Sequence, residues 1–179
     1  MSVHHEVTGI ILKKVRSKNN DKTVVLFSQE LGKLYLVAKG AQKITSKRLT
    51  SLDSLNVVRV NFNERLGFMY IREVDVISRL QTIKDSYEKR RLLLLFAEVL
   101  DKLLPVNQCE IEVYKESVSF LQKLSTGNVS DHSIVRDIYQ LLLLLGYSHM
   151  DTKQSHTLME LQKLLEQITE REIKSWQLS

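Results

Sequence analysis

The sequence predicts an α+β protein in two parts, a small β-barrel followed by a small all-α helical bundle. Up to about residue 80, apolar residues alternate with polar ones or form short β-branched and aromatic runs between turn residues, which is typical of strands. From residue 84 onward, leucines recur at helical spacings instead. We therefore expect two domains, residues 1–80 and residues 81–179.

Five strands are predicted in the first part. Gly32 lies between the second and third strands and supplies the positive φ that a tight hairpin needs. Short strands of this kind, with one longer connection after the third, suit a five-stranded Greek-key barrel of the OB type. An SH3-like barrel gives a similar pattern, and periodicity alone does not separate the two. The predicted strands are residues 6–15, 22–28, 34–39, 57–62 and 67–77.

Four helices are predicted in the second part. Pro105 stops the first helix, and Gly127 and Gly146 follow the second and third as C-cap candidates. Residues 128–131 offer N-capping side chains. The third helix ends in five leucines, residues 141–145, and such an all-round apolar helix is normally the buried centre of a bundle. The predicted helices are approximately residues 84–104, 110–124, 130–145 and 156–169.

Composition excludes several classes of protein. With 43% hydrophobic residues, one Pro and six Gly, the chain is neither disordered nor collagen-like. The single cysteine, Cys109, cannot form an internal disulfide, which predicts a reducing compartment. No apolar run approaches the roughly 18 residues that span a bilayer, and no apolar segment follows the first residues. We expect a cytoplasmic protein.

No catalytic or metal-binding pattern is found. His4 and His5 lie near a chain end that we expect to be mobile, and the other three histidines are scattered without metal-ligand spacing. The motifs GxxxxGK[ST], GxGxxG and GxSxG are all missing from the sequence. We therefore predict a protein that is not an enzyme and that uses neither a cofactor nor a metal.

Positive charge is concentrated in the first part. Residues 1–80 hold 14 Lys/Arg against 7 Asp/Glu, a net charge of +7, whereas residues 81–179 hold 12 against 14, a net charge of −2. Basic residues attract phosphates, and aromatic residues on a sheet face stack unpaired bases, so this end is predicted to bind single-stranded nucleic acid. The stacking candidates, each of which could instead fill the barrel core, are Tyr35, Phe62, Phe68 and Tyr70. The predicted DNA-binding residues are Lys13, Lys14, Arg16, Lys18, Lys39, Lys43, Lys47, Arg48, Arg65 and Arg72.

Several stretches occur in an order that resembles a known family. They are Gly9-Ile-Ile-Leu-Lys-Lys, then Val25-Leu-Phe-Ser-Gln-Glu-Leu-Gly-Lys-Leu, then Val37-Ala-Lys-Gly-Ala, with Leu141-Leu142-x-x-Leu145-Gly146-Tyr147 further on. Together they resemble the bacterial recombination mediator RecO, most strongly up to about residue 78. The resemblance implies an OB-fold that binds single-stranded DNA, anneals strands and helps RecA replace single-strand-binding protein, acting with RecR.

The resemblance also implies a partner surface on the helical part, which would receive the acidic C-terminal tail of single-strand-binding protein. A cation must hold the tail carboxylate beside an apolar wall, and the leucines after Arg136 are expected to supply that wall. The candidate cations are Arg136, Lys123 and Arg90. Family members often carry a longer C-terminal segment, sometimes with a four-cysteine zinc site. Here the corresponding segment is expected to be short and free of metal.

Two other functions remain open at this point. One is a protein-interaction adaptor whose barrel binds DNA weakly. The other is an RNA-binding barrel, because OB-folds host both nucleic acids and a fold does not fix a function. Salt-dependent DNA binding and competition between DNA and RNA oligomers would separate the three.

Overall fold

The structure is a computed structural model that describes residues 4–16, 21–39, 50–127, 130–147 and 157–170. The chain divides into two compact units, one of residues 1–80 with 105–111 and one of residues 81–104 with 112–179. The short segment 105–111, which lies between two helices in the sequence, therefore belongs to the unit that contains the strands. A boundary at residue 80 between two domains stays a prediction.

Five strands build the first unit. They are β1 (His4–Arg16), β2 (Lys22–Ser28), β3 (Gly32–Ala38), β4 (Val57–Arg65) and β5 (Phe68–Ser78). They close into a barrel in the order β1-β2-β3-β5-β4, in which β3 and β5 are parallel and the other neighbours are antiparallel. A bulge between Ile11 and Lys13 interrupts the register of β1, which pairs with both β2 and β4. This is the OB arrangement, so the predicted fold class is confirmed.

Alternating side chains fill the barrel. On β4, Val58, Val60 and Phe62 point into a core that also contains Leu36 of β3. Phe62 is 1% exposed and its ring stacks on that of His5, 5.0 Å between centroids. His4 and His5 are paired residues of β1, opposite β4, so the expectation that they lie in a mobile chain end is wrong.

A two-residue turn joins β4 to β5. Arg65 pairs with Phe68, and the intervening Leu66 and Gly67 have φ values of +53° and +74°. Two positive φ values define the mirror-image hairpin turn, whose twist matches that of the strands and which Asn-Gly normally occupies. Gly32, at the start of β3, has φ +71°, as expected from its place in the second hairpin.

Helices build the second unit. Ser86, Ser130 and Thr157 each accept a hydrogen bond from a backbone N–H of the following first turn, and Thr157 forms a capping box with Glu160. The helix predicted from about residue 84 is observed as one helix that begins after Ser86, and the short helix of residues 81–84 before it is not predicted from the sequence. In the described residues of this unit the helices are α1 (Gln81–Lys84), α2 (Tyr87–Leu103), α3 (Ile111–Thr126), α4 (Asp131–Leu144) and α5 (Leu158–Thr169).

Aromatic and leucine side chains form the core of the helical unit. The rings of Phe96 on α2 and Phe120 on α3 stack, with 4.1 Å between centroids and 13° between planes. In the leucine run, Leu141 and Leu142 are fully buried whereas Leu144 is exposed, so the expectation that this segment is buried on every side is wrong for Leu144. None of the helices in the described part of the chain has the length and hydropathy to cross a membrane.

Candidate nucleic-acid interface

The outward face of β3, β5 and β4 carries a continuous row of residues. Val37 of β3 pairs with Tyr70 of β5, and Tyr70 pairs with Asn63 of β4. The neighbours Met69 and Ile71 pack on the barrel core, so Tyr70 is on the opposite face of the sheet. The strand pairing thus brings β3 onto one surface with β4 and β5, which follow it by about 20 residues or more in the sequence.

A pocket of about 560 Å³ opens on this surface. Three of its lining residues are cations with exposed side chains: Lys39, just after β3, Arg65 at the end of β4, and Arg72 on β5. The acidic residues Glu73 and Asp75 lie further along β5. The described residues that line it are Lys39, Asn63, Arg65, Leu66, Tyr70 and Arg72.

Aromatic rings lie beside these cations. The ammonium of Lys39 is 4.4 Å from the centre of the Tyr70 ring, within the range of a cation–π contact. Phe68 is 58% exposed, and its ring centroid is 6.3 Å from that of Tyr70 with a 46° tilt. Tyr35 of β3 is also exposed. The surface therefore combines positive charge with accessible aromatic faces.

Asn63 contributes a polar group that the sequence pattern does not single out. Its Oδ1 atom is buried and has no hydrogen-bond partner among the described residues, although the residue lines the pocket. A buried acceptor without a donor costs free energy, which is a reason to consider a ligand donor at this position. Since side chains alternate between the two faces of a strand, the sequence of β4 is enough to place Asn63 on the same face as Arg65, two residues away.

Comparison with known proteins gives a consistent answer. Residues 1–80 match the family described as Recombination protein O N terminal. The chain is 27% identical over 143 residues to the DNA repair protein RecO of Clostridium perfringens, covering 79% of this chain and 58% of that protein. It is 28% identical over 141 residues to DNA repair protein RecO of Caldanaerobacter subterraneus, covering 78% of this chain and 57% of the relative.

The chain is similar to RecO proteins over most of its length. The resemblance found in the sequence is thereby confirmed. The chain spans somewhat more than half the length of the curated relatives that it matches.

The structure brings together only part of the predicted DNA-binding set. Lys39, Arg65 and Arg72 share the pocket. Lys13 and Lys14 instead lie on the β1–β2 ladder, and the Lys14 ammonium is 2.6 Å from Asp53 Oδ1. Arg16 belongs to β1, but its side chain is not among those that the structure describes. Also outside the described residues are Lys18, Lys43, Lys47 and Arg48.

The stacking candidates separate by the face of the sheet on which they lie. Phe62 is buried in the barrel, so its assignment as a possible stacking platform is wrong. Phe62 lies on the same face of β4 as Val58 and Val60, both of which face the core. Tyr35, Phe68 and Tyr70 have side chains that reach the surface.

The partner-binding candidates lie in the helical unit. Arg136 is an exposed residue of α4, and no ion pair joins it to the side chains that the structure describes. Lys123 of α3 binds Asp137, the residue after Arg136, with 2.9 Å between Nζ and Oδ1. The guanidinium of Arg90 on α2 lies 5.8 Å from the Tyr87 ring centre.

The leucines after Arg136 do not all form the apolar wall that the sequence predicts beside it. Leu141 and Leu142 are fully buried and cannot contact a ligand on the surface. Leu143, seven residues after Arg136, is partly exposed on the same helix face, about 10 Å along the axis. A ligand that used both residues would therefore have to lie along α4.

Metal-ligating side chains are dispersed in the described residues. No group of three or more His, Cys, Asp or Glu residues there could hold a metal ion. Cys109 is exposed, and its thiol lies 3.3 Å from the Gln29 carbonyl oxygen as a donor.

Proposed function

We propose that this chain is a member of the RecO family and that it binds single-stranded DNA through the pocket on β3, β5 and β4. The observation that supports this proposal is the convergence of Lys39, Arg65 and Arg72 around the Tyr70 ring. Lys and Arg attract phosphates and release their counterions, while each base stacked on an aromatic ring adds about 1 to 3 kcal/mol. The pocket supplies both contributions at one place.

The size of the pocket supports the same ligand. Its volume of about 560 Å³ falls in the range of sites that hold nucleotide-sized molecules. Phe68 lies next to Tyr70 and extends the aromatic surface beyond the pocket, so that a second base of the same strand has a ring to stack on.

The wider activity that we propose is mediation of recombinational DNA repair. The relatives are named DNA repair proteins, and a strand-binding barrel suits that role. In this proposal the chain anneals strands and helps load RecA onto DNA coated by single-strand-binding protein, acting with RecR near the nucleoid. Binding and strand pairing need no bond-making residue, so the proposed role is non-enzymatic.

A second surface is proposed for the tail of single-strand-binding protein. Arg136 is exposed on α4 and offers the planar two-pronged donor that a carboxylate prefers. Lys123 is already bound to Asp137 and Glu116, with Nζ–O distances of 2.9 and 3.9 Å, so Arg136 is the better anchor.

Salt-dependent binding tests the DNA site. Fluorescence anisotropy with a labelled single-stranded oligodeoxynucleotide should show affinity that falls steeply with salt. Each of Lys39→Ala, Arg65→Ala and Arg72→Ala should weaken binding and flatten the log–log salt slope by about 0.7, the value for one neutralised phosphate of a single strand. Lys115→Ala, which removes an exposed cation of α3, should leave the slope unchanged.

Two results would contradict the proposal. One is a triple Lys39/Arg65/Arg72→Ala variant that binds as tightly as the parent at every salt concentration. The other is displacement of the labelled DNA by single-stranded RNA of the same sequence at a lower concentration than unlabelled DNA requires, which would favour the RNA-binding alternative.

A further inference from the structure

The turn between β4 and β5 carries a leucine where the backbone disfavours one. Leu66 has φ +53°, and in this left-handed conformation the Cβ of an L-residue crowds the following carbonyl oxygen. Asn, Asp or Gly normally occupies this place in the turn. The Leu66 side chain is also 86% exposed. Neither the local backbone nor burial in the described part of the chain explains a leucine here.

The tip of this turn is open to solvent in the described structure. Leu66 is 86% exposed, and a Cβ placed on Gly67 would meet no described atom within 4 Å apart from its chain neighbours. At the same time Leu66 lines the rim of the pocket that holds Lys39, Arg65 and Arg72. An exposed apolar side chain is thus held at the edge of a basic site.

We propose that Leu66 is an apolar wedge that inserts between two successive bases of a bound single strand. This inference rests on the proposed function of the pocket. Leucine is among the side chains that DNA-binding proteins insert between base steps, which it partly unstacks. Arg65 on one side of the turn and Phe68 on the other can hold a phosphate and a base while Leu66 occupies the gap.

The positive charge of the pocket favours a nucleic acid as its ligand. Three cations line the pocket, and none of its six described lining residues carries a carboxylate. An apolar peptide would gain nothing from that charge, whereas a polynucleotide supplies both phosphates and flat apolar base faces.

Replacing Leu66 with the residue that the turn prefers tests the wedge. Leu66→Asn should raise the unfolding temperature by about 2 to 4 °C, because backbone strain is relieved. The same change should weaken binding of a single-stranded oligodeoxynucleotide about fivefold, since the inserted side chain is removed. Opposite effects on stability and affinity are not expected of a residue with a purely structural role.

A fluorescent base reports insertion directly. With a central 2-aminopurine in the oligonucleotide, saturation by the parent protein should raise the fluorescence through unstacking, and saturation by Leu66→Asn should raise it much less. Leu31→Asn is the matched control, because Leu31 is an exposed leucine of the β2–β3 turn outside the pocket lining. It should leave both affinity and fluorescence unchanged.

The outcomes separate the two proposals. If the parent does not bind the oligonucleotide, the proposed function fails and the wedge fails with it. If the parent binds but Leu66→Asn gives the same affinity and fluorescence, the wedge is overturned while the DNA site stands. If Leu66→Asn instead impairs only binding to phosphatidylglycerol vesicles, the tip contacts lipid and the inference is overturned.

Discussion

Gly32 faces the backbone carbonyl of Gln108 so closely that a Cβ on Gly32 would overlap the Gln108 oxygen. Segment 105–111 is bound to the start of β3 at this point, where the Asn107 N–H donates to the Lys33 carbonyl over 2.9 Å. Residue 32 therefore has to be glycine for two reasons: it adopts a positive φ, and a Cβ there would clash with Gln108. Only the first reason is visible in the sequence.

The Gly32→Ala variant should lose at least about 2 kcal/mol of stability, because it adds a backbone clash to the strain of a positive φ. Thermal unfolding is the measurement. Gly67→Ala is the control, since Gly67 has a similar φ of +74° but open space around its Cα. It should lose about 1 kcal/mol. Equal losses of stability in the two variants would show that the close approach of Gln108 does not destabilise Gly32→Ala.

Tyr70 is expected to act through its ring. Tyr70→Phe should bind a single-stranded oligodeoxynucleotide almost as well as the parent, because the face next to Lys39 is kept. Tyr70→Leu should bind about tenfold more weakly, the equivalent of about 1.4 kcal/mol and within the range for one stacked base. Anisotropy titrations at one fixed salt concentration measure both. Parental affinity in Tyr70→Leu would remove Tyr70 from the interface.

The ion pair between Lys123 and Asp137 is expected to stabilise the folded protein more than an exposed ion pair does. The Asp137 side chain is 8% exposed and its second oxygen has no hydrogen-bond partner in the described structure, while Lys123 is 49% exposed. Lys123→Met leaves a buried carboxylate unpaired and should cost about 1 to 2 kcal/mol in urea unfolding, a value reduced for the solvent exposure of Lys123.

Lys115 provides the comparison for this pair. It binds Glu112 over 2.7 Å with both side chains about two-thirds exposed, so Lys115→Met should cost no more than about 0.5 kcal/mol. Adding Asp137→Asn to Lys123→Met should recover part of the loss. A double variant as unstable as expected from simple addition would show that the two charges do not interact.

Alkaline pH should destabilise the helical unit through Tyr139. Burial, together with the nearby negative charge of Glu160, raises the pKa of Tyr139 above its ordinary value of 10.0. The unfolded chain then loses this proton at lower pH than the folded protein does. The stability contribution is complete below pH 10 and is lost as pH rises from about 10 through the folded-state pKa.

Tyr139→Phe should remove this loss, so the difference in unfolding free energy between variant and parent should change in favour of the variant above about pH 10. Glu160→Gln should reduce the alkaline loss while keeping the capping box, which accepts Gln as well as Glu. Urea unfolding across pH 8 to 11 measures both. If the unfolding free energies of Tyr139→Phe and the parent change with pH in parallel, Tyr139 is excluded as the source of the alkaline loss of stability.

Arg136 is expected to anchor an acidic peptide. With a labelled peptide that has the acidic, apolar-ended tail of a single-strand-binding protein, Arg136→Ala should bind about tenfold more weakly, or about 1.4 kcal/mol. Lys115→Ala serves as the control for a general loss of positive charge. If Arg136→Ala has a normal circular dichroism spectrum and parental affinity, the anchor lies elsewhere.

Most elements of this protein follow from local sequence. Strand β2 is predicted at residues 22–28 and is observed there, and the N-cap of α4 falls at Ser130, within the predicted capping segment. Alternation and helical spacing arise from the geometry of neighbouring residues, so they can be read without knowledge of the fold. The element order, the basic character of the first part and the family resemblance are all visible at this level.

The site depends on pairings between distant residues. Residues 37, 63 and 70 form one row only because β3 joins β5 in parallel and β5 pairs with β4, and neither register is visible in a single sequence. The same registers separate Lys39, Arg65 and Arg72 from Lys13 and Lys14, all of which look alike in the sequence. Local spacing sets which residues share a strand face, but only long-range hydrogen bonding decides which strand faces meet.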